Sequence, residues 1–589
     1  MLTLRHAIPS LAVLILASPG PLRAGDDTSL LTPKREFRAV WLTTAAGLDW
    51  PRTTNPAEQQ AGLRAIVRTL RQQNFNAIFF QVRARGDAYY RSSLEPWAEN
   101  LTGTLGRDPG WDPLQFLLDE ARESGLEVHA WFNVYKIRGP NAVPLTTPLH
   151  VSRLHPSWTV PAEGELWLDP GIPEVRRYVL TVALDLVERY DLDGINFDFL
   201  RYPGRAFPDD ETYRRFGNGA GRDEWRRGNI TAFLAEFHAS TTSRRPRLKV
   251  GSSPFGVYEA DPVSGTSGSP VSVYQDSEEW LRRGIQDYLS PQMYWDIGAS
   301  RGDPDFAGLA ERWQRGSFGR HIYAGIAAYK TEVASQIPRQ IDVARGAGNQ
   351  GQVYFRYGNL QPMTILGNRY GAPALPPTMP WKDSIPPEPP ARLAVAEVVT
   401  NVFQLEWTAS PMARDNEAAL RYVIYRSSPA EPRTDHPANI VAVIPANRTY
   451  HLDTVRVPTG LTYQYAVTAL DRLSNESPPS STGTAVVREL IALKGRLSDF
   501  TSLSASLDGR SGQPLLLGYR LAYRTTVSLE ILRVDTSGTE YAMARPVDGI
   551  RDQGTYILGL RSLRLPPGNY SVRLRAGATH LEQPLRIHP

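Results

Sequence analysis

Eight short apolar runs recur between Phe37 and Arg356, and the gaps between them carry helical signals. The runs are Phe37–Thr43, Asn76–Arg83, Glu127–Asn133, Gly194–Leu200, Lys249–Ser253, Tyr288–Tyr294, His321–Ala327 and Gln352–Arg356. After the first run, Leu63, Ile66, Val67 and Leu70 form a stripe at helical spacing. Asp112-Pro113 reads as an N-cap followed by proline at the first helical position. Val175, Tyr178, Val179, Val182 and Leu186 make another stripe, and Asp276 is placed to cap a helix through Trp280. Strands alternating with helices argue for a parallel sheet. Eight such units in about 320 residues predict an α/β fold, a closed (β/α)8 TIM-type barrel. On pattern alone an open doubly wound sheet is the alternative.

The alternation stops at a cluster of prolines. Pro373, Pro376, Pro377, Pro380, Pro386, Pro387, Pro389 and Pro390 fall within residues 371–390. Proline fixes φ and removes a donor, so this stretch is neither a helix interior nor a central strand. It reads as a linker that decouples the barrel, residues 25–370, from the C-terminal third of the chain. Downstream, Leu393–Trp407, Tyr422–Tyr425 and Thr462–Ala469 read as strands of a β-sandwich over residues 391–489. Trp407 is expected in its core, and the spacing resembles a fibronectin type III domain. Residues 490–589 alternate apolar and polar side chains and predict a second, Ig-like all-β sandwich.

Composition removes whole classes of function. The chain has 589 residues and no cysteine, which excludes disulfides, thiolate zinc sites, iron–sulfur clusters and a cysteine nucleophile. A net charge of +4 is too dilute for a nucleic-acid face. Arg5, the apolar run Ile8 to Ala17 and Leu22-Arg23-Ala24 give residues 1–24 the form of a secretory leader. That run is about ten residues, whereas a spanning helix takes about 20. An exported protein is expected, periplasmic or extracellular and without stable membrane insertion; an uncleaved anchor is the alternative. No Walker loop, dinucleotide fingerprint, His-Glu-x-x-His or Gly-x-Ser-x-Gly occurs, and the histidines show no paired metal spacing. No cofactor and no metal are expected, and the sequence sets no oligomeric state.

In such barrels the active site lies at the C-terminal ends of the strands, where inward side chains alternate with outward ones. By that parity Gln81 and Arg83 share a face on the second strand, and His129, Trp131 and Asn133 on the third. Asn196 and Asp198 share one on the fourth, and Gln292, Tyr294 and Asp296 on the sixth. Four strands with polar inward ends describe a polar mouth. Glycoside hydrolysis uses two carboxyl groups flanking the scissile bond. Asp198, ending an apolar strand and followed by Arg201 and Tyr202, is the first candidate. Asp296, two strands away, is the second, with Glu259 and Asp261 as loop alternatives. Trp41, Trp131, Tyr294, Trp295 and Tyr357 can stack on sugar rings or pack the barrel. His129 is a base or a buried hydrogen-bonding residue. Arg83, Lys330 and Arg356 near strand ends bind an anionic group or are surface charges.

Several of these stretches together resemble the glycosyl hydrolase-like family 10 domain. They include Phe37-Arg38-Ala39-Val40-Trp41-Leu42, Pro109-Gly110-Trp111-Asp112-Pro113-Leu114, His129-Ala130-Trp131-Phe132-Asn133 and Asp193-Gly194-Ile195-Asn196-Phe197-Asp198. Ser253-Pro254-Phe255-Gly256, Pro291-Gln292-Met293-Tyr294-Trp295 and Gly325-Ile326-Ala327-Ala328-Tyr329-Lys330 continue the likeness to Tyr370. The resemblance implies a bacterial cell-envelope glycosidase on a (β/α)8 barrel, sometimes with fibronectin-like appendages. It also implies a substrate class, peptidoglycan glycan strands stripped of their stem peptides. Family members commonly carry two successive acids on strand four; here the second is Phe199, so Asp198 alone carries over. The strand also resembles the chitinase-type motif, whose catalytic Glu would fall at Leu200.

The expectation is therefore an exported hydrolase of envelope polysaccharide. Asp198 and Asp296 are its catalytic pair, and Trp41, Arg83, His129, Trp131, Asn133, Arg201, Tyr202, Gln292, Tyr294, Trp295, Lys330 and Arg356 contact the glycan. The alternative is a non-catalytic glycan-binding protein on a degenerate barrel, favoured by the apolar Phe199 and Leu200.

Overall fold

The computed structural model describes residues 32–588, apart from 139–142, 262–263, 299–301, 400–401, 428–432, 456–461, 487–499 and seven short stretches of the C-terminal module (506–507, 511–514, 522–524, 536–537, 552–553, 561–564 and 577–578). The secretory leader read at 1–24 lies outside the described residues. No described helix is long and apolar enough to cross a membrane.

Eight strands close into a barrel: β1 Phe37–Leu42, β2 Ala77–Arg83, β3 Glu127–Asn133, β4 Gly194–Asp198, β5 Lys249–Ser252, β6 Tyr288–Leu289, β7 His321–Ile326 and β8 Gly351–Tyr354. Every neighbouring pair is parallel, and β8 closes on β1 through Phe37↔Gly351 to Val40↔Tyr354. The expected α/β barrel is present, and the doubly wound alternative is not. The helical stripes lie where the periodicity put them. Helix Pro56–Gln72 buries Leu63, Ile66, Val67 and Leu70, with Asn55 accepting N–H bonds at its start. Asp112 caps helix Pro113–Glu123 by accepting the Gln115 N–H. Asp276 instead accepts the Tyr258 hydroxyl at 2.8 Å and leaves the next helix uncapped.

The barrel interior is filled by matching large side chains to glycines. Phe37 stacks on Tyr323 with ring centroids 4.1 Å apart, and His129 stacks on Phe79 at 5.1 Å. A Cβ at Gly194 would lie 2.4 Å from the His129 ring, and one at Gly251 would lie 2.3 Å from Tyr288. Only glycine gives those rings room at that height.

The proline-rich stretch is not a free linker. Prolines exclude helix and central strand, but an extended chain can still lie across the bottom of the barrel. Leu375 donates its N–H to the Lys34 carbonyl and accepts from the Glu36 N–H. Met379 is fully buried in one apolar cluster with Phe37 and Val353, and the Trp381 indole donates to Asp287 at 2.9 Å. Leu473, from the following module, joins the same apolar floor and is fully buried there. The barrel and its neighbour are thus packed together rather than decoupled.

That neighbour pairs a three-stranded sheet (Ala391–Val399, Val402–Thr408, Tyr450–Thr454) with a four-stranded one (Arg421–Ser427, Ile440–Pro445, Thr462–Leu470, Gly483–Val486). Trp407 lies in its core, edge-on to Tyr422 at 5.4 Å. Ion pairs fasten it to the barrel: Arg421 reaches Asp193 at 3.4 Å, Arg472 reaches Asp191 at 2.8 Å, and Arg247 reaches Asp415 at 2.6 Å. The C-terminal module holds a three-stranded and a five-stranded sheet, with Val527, Leu529, Ile531, Val572 and Leu574 in its core.

Candidate active site

A cavity of about 240 Å³ opens at the C-terminal ends of the barrel strands. That is just below the usual range of ligand-pocket sizes, roughly 300–1,000 Å³. Trp41, Gln81, Trp131, Asn133, Asp198 and Phe355 line it from five different strands or their ends, and Gln292 and Tyr294 from the loop after β6. Phe355 packs within 6.3 Å of Trp41, Trp131 and Tyr294, so one wall is aromatic. The other wall is polar. The Thr43 hydroxyl and the Asn133 side-chain amide oxygen, Oδ1, are buried there without a protein hydrogen-bond partner.

Asp198 is buried at the end of β4, and donors approach both its oxygens. Oδ2 accepts the Trp131 indole N–H at 3.1 Å; Oδ1 accepts the Phe199 N–H at 2.7 Å and the Gln292 amide at 3.4 Å. Phe199 supplies its bond from a left-handed backbone, φ 47°, uncommon for a bulky residue and typical of functional turns. Burial raises the Asp198 carboxyl above the usual aspartate range, although the Phe199 N–H, the charges of Arg201 and Lys136, and the Trp131 N–H pull it down. The group therefore holds its proton to a higher pH than an exposed aspartate does.

Other sequence candidates lie elsewhere. A register shift between Gln81 and Arg83 interrupts the two-residue alternation of β2. It turns Arg83 into the helix layer, fully buried, where it pairs with Glu95 at 2.6 Å and does not meet an anion in the mouth. His129 points inward but one layer below the cavity, fully buried between Glu127 at 3.2 Å and the Tyr288 hydroxyl at 2.9 Å. Burial pushes its pKa down, so it is a neutral packing residue of the floor. Tyr202 is buried in the helix layer and accepts from Asn229. Arg201 lies over the Trp167 and Phe199 rings and donates to the Pro203 carbonyl at 3.2 Å, beside the cavity but not on its lining.

The regular sixth strand ends at Leu289, five residues before the expected end, although Gln292 beyond it still bridges in parallel to Phe255 and Gly325. Met293 and Tyr294 donate instead to carbonyls two residues back, Pro291 and Gln292. Asp296 consequently does not line the cavity; its carbonyl accepts the Phe306 N–H at 3.0 Å. Trp295 packs edge-on to Phe255, and Lys330 donates to the Tyr294 carbonyl at 2.8 Å. Arg356 holds the rim through the Leu48 carbonyl and Asp49. None of these three lines the cavity.

Residues 36–342 match the family described as glycosyl hydrolase-like 10. The chain belongs to that family. It is 32% identical to the glycosyl hydrolase YngK of Bacillus subtilis (strain 168), over 76% of this chain and 93% of that protein. It is 36% identical to the glycosyl hydrolase DigH of Escherichia coli (strain K12), over 51% of this chain and 75% of that protein. Among solved structures, the glycoside hydrolase domain of PgaB (BpsB) from Bordetella bronchiseptica aligns with a TM-score of 0.39 at 16% identity, covering 57% of this chain and 98% of that one.

In this member of the glycosyl hydrolase-like 10 family the fourth strand offers one carboxylate to the mouth. Phe199 puts an aromatic ring in the cavity wall, and Leu200 is fully buried in the helix layer, so neither position supplies an acid. Sequence reasoning passed over Arg85, Lys136 and Glu165, which line the cavity with Asp198. Arg85 follows the β2 bulge, and the other two lie in a small three-stranded sheet inserted after β3, Lys136 on its first strand, Lys136–Arg138, and Glu165 on the hairpin that pairs with it. The Glu163-Gly164 pair between the apolar stretches Val160–Ala162 and Leu166–Leu168 was the available signal for that hairpin. A separate group of carboxylates, Asp383, Asp415 and Glu417, has ligand atoms within 4.8 Å of one another at the barrel–sandwich seam. The Arg247 guanidinium pairs with all three, at 3.4, 2.6 and 2.5 Å.

Proposed function

We propose that this chain is an exported glycoside hydrolase that cuts bacterial envelope polysaccharide, specifically peptidoglycan glycan strands lacking stem peptides. The observation that carries the reading is Asp198: a proton-retaining carboxyl at the mouth of a glycosidase-family barrel, facing an aromatic wall and unpaired polar atoms. Asp198 acts as general acid. It protonates the glycosidic oxygen as the bond to the anomeric carbon breaks. Thr43 and Asn133 offer hydrogen bonds to sugar hydroxyls, and Trp41, Trp131, Tyr294 and Phe355 offer apolar surface to ring faces. A narrow cavity of about 240 Å³ favours a bare glycan over one bearing peptides. Free lactyl carboxylates would meet Arg85 and Lys136 rather than Arg83, which is buried in the helix layer.

The test digests intact and amidase-treated peptidoglycan side by side and follows reducing-end release. Faster release from the peptide-free strands is expected, and Asp198→Asn should lower it by at least about 10²-fold while glycan binding persists. Equal rates on the two substrates would remove the peptide-free preference. A native protein that retains glycan on sedimentation yet releases no reducing ends would establish a binding-only barrel.

A further inference from the structure

The hydrolase reading supplies one carboxyl group where glycoside hydrolysis calls for two. Asp296, the sequence candidate, is not on the cavity. We propose that Glu165 is the second carboxylate, the general base on the attacking side, and that the hairpin after β3 rather than a barrel strand delivers it. This assignment rests on the glycosidase reading.

Three observations place Glu165 there. First, it and Asp198 are the carboxylates among the described residues lining the cavity. Second, the hairpin fixes its direction. Strands Thr159–Ala162 and Glu165–Leu168 are joined by Glu163-Gly164, both in the left-handed region at φ 52° and 70°. That is the two-residue turn whose twist matches a hairpin, and it sets the register Ala162↔Glu165 and Val160↔Trp167. Residues two apart share a face, so Glu165 follows Trp167. Trp167 is fully buried, edge-on to Phe199 at 5.8 Å, and Phe199 adjoins Asp198. Third, Lys136 spans the gap. Its ammonium lies 3.1 Å from Glu165 and 4.9 Å from the centroid of the Phe199 ring, and its charge also acts on Asp198. Both partners of the Lys136–Glu165 pair remain part-exposed, at 27% and 32%, and such a pair adds only about 0–1 kcal/mol to stability. Stability is thus a weak reason for a carboxylate at this spot.

The chemistry balances. Asp198 gives its proton to the glycosidic oxygen, and the bond from that oxygen to the anomeric carbon breaks with its electron pair going to the departing sugar. A water oxygen bonds to the anomeric carbon, and Glu165 takes the proton that water releases. Solvent then returns one proton to Asp198 and accepts one from Glu165. Glu165 is half-buried, so water reaches it, and its carboxylate lies 3.1 Å from the Lys136 ammonium.

The experiment uses the full chain, amidase-treated peptidoglycan as substrate, and Glu165→Ala, Glu165→Gln and Asp198→Asn. Both Glu165 variants should lose about 10²–10⁴-fold in turnover, with melting temperatures close to that of the unaltered protein. Azide, a nucleophile that needs no base, should restore Glu165→Ala and leave a glycosyl azide product, and should not restore Asp198→Asn. Glu165→Gln turning over within about threefold of the unaltered protein, against that 10²-fold range, would overturn the assignment. So would a Glu165→Ala defect that azide leaves untouched. An unaltered protein that releases no reducing ends would take down the glycosidase reading and this assignment with it; normal release together with an active Glu165→Gln removes the assignment alone.

Discussion

Asp198 shows how one residue's surroundings set its chemistry. Burial raises its carboxyl, and the Phe199, Trp131 and Gln292 donors fix its direction without reversing that shift. A general acid works only while protonated, so activity should fall as pH rises through a pKa above the ordinary aspartate value. A kcat/KM profile on peptide-free glycan checks this, and an alkaline limb at the ordinary aspartate range would contradict it. His129 makes the opposite case. It shares parity with Trp131, yet Glu127 and Tyr288 occupy both its ring nitrogens below the cavity. His129→Phe should lose about 1 kcal/mol per hydrogen bond in stability and keep turnover near normal well below its melting temperature. A fall of about 10²-fold in a folded His129→Phe protein would return it to the mechanism. Parity separates inward from outward; it does not say how deep in the barrel a side chain lies.

At the scale of elements, two irregularities decide what reaches the mouth. The β2 bulge turns Arg83 outward and brings Arg85 to the lining, a swap no alternating pattern foretells. The inserted hairpin depends on Gly164, where an added Cβ would meet nothing within 4 Å and the backbone alone, φ 70°, resists substitution. Gly164→Val should therefore cost about 1–2 kcal/mol locally, from the left-handed conformation. If the hairpin carries Glu165 to the reaction, turnover falls while the melting temperature of the barrel barely moves. Thermal melts beside reducing-end assays separate those outcomes; an unchanged rate would mean the hairpin register has no bearing on catalysis.

For the whole molecule, the barrel floor is shared property. Met379 and Leu473 cover it, Leu375 buries its side chain among sandwich residues beside it, and Trp381 and Arg421 satisfy Asp287 and Asp193. A chain cut after residue 372 bares that apolar floor and should aggregate or melt well below one cut after residue 486, which should stay folded and active. Expression of both and their melting curves decide it, and a stable, active short form would show that the strap is dispensable. The floor also sets a pH response. Burial pushes Glu127 up, but Lys249 at 2.6 Å, His129 and Arg421 hold it well below its ordinary value of 4.5. A depressed folded pKa contributes stability above the unfolded value and loses it as pH falls below about 4.5. Glu127→Gln should be less stable than the native chain at neutral pH, because it strands a buried Lys249, typically by about 3–5 kcal/mol. The gap should narrow on acidification, and urea titrations at several pH values measure it.

Much of this was legible in the residues themselves. Periodicities of two and of about 3.6 follow from local backbone geometry, so eight strands, their helices and the Asp112 cap could be read in order. The inward parity of Trp131, Asn133 and Asp198 followed from the same rule. What local rules cannot carry is where an alternation breaks and what lies across a chain end. A bulge depends on the partner strand, the early end of β6 on turns closed by Pro291 and Gln292, and the docking of the proline strap on a floor assembled from distant strands. Arg83, Asp296 and Glu165 were therefore placed by tertiary packing: each side chain's surroundings come from residues far away in the chain, and no local pattern encodes that distance.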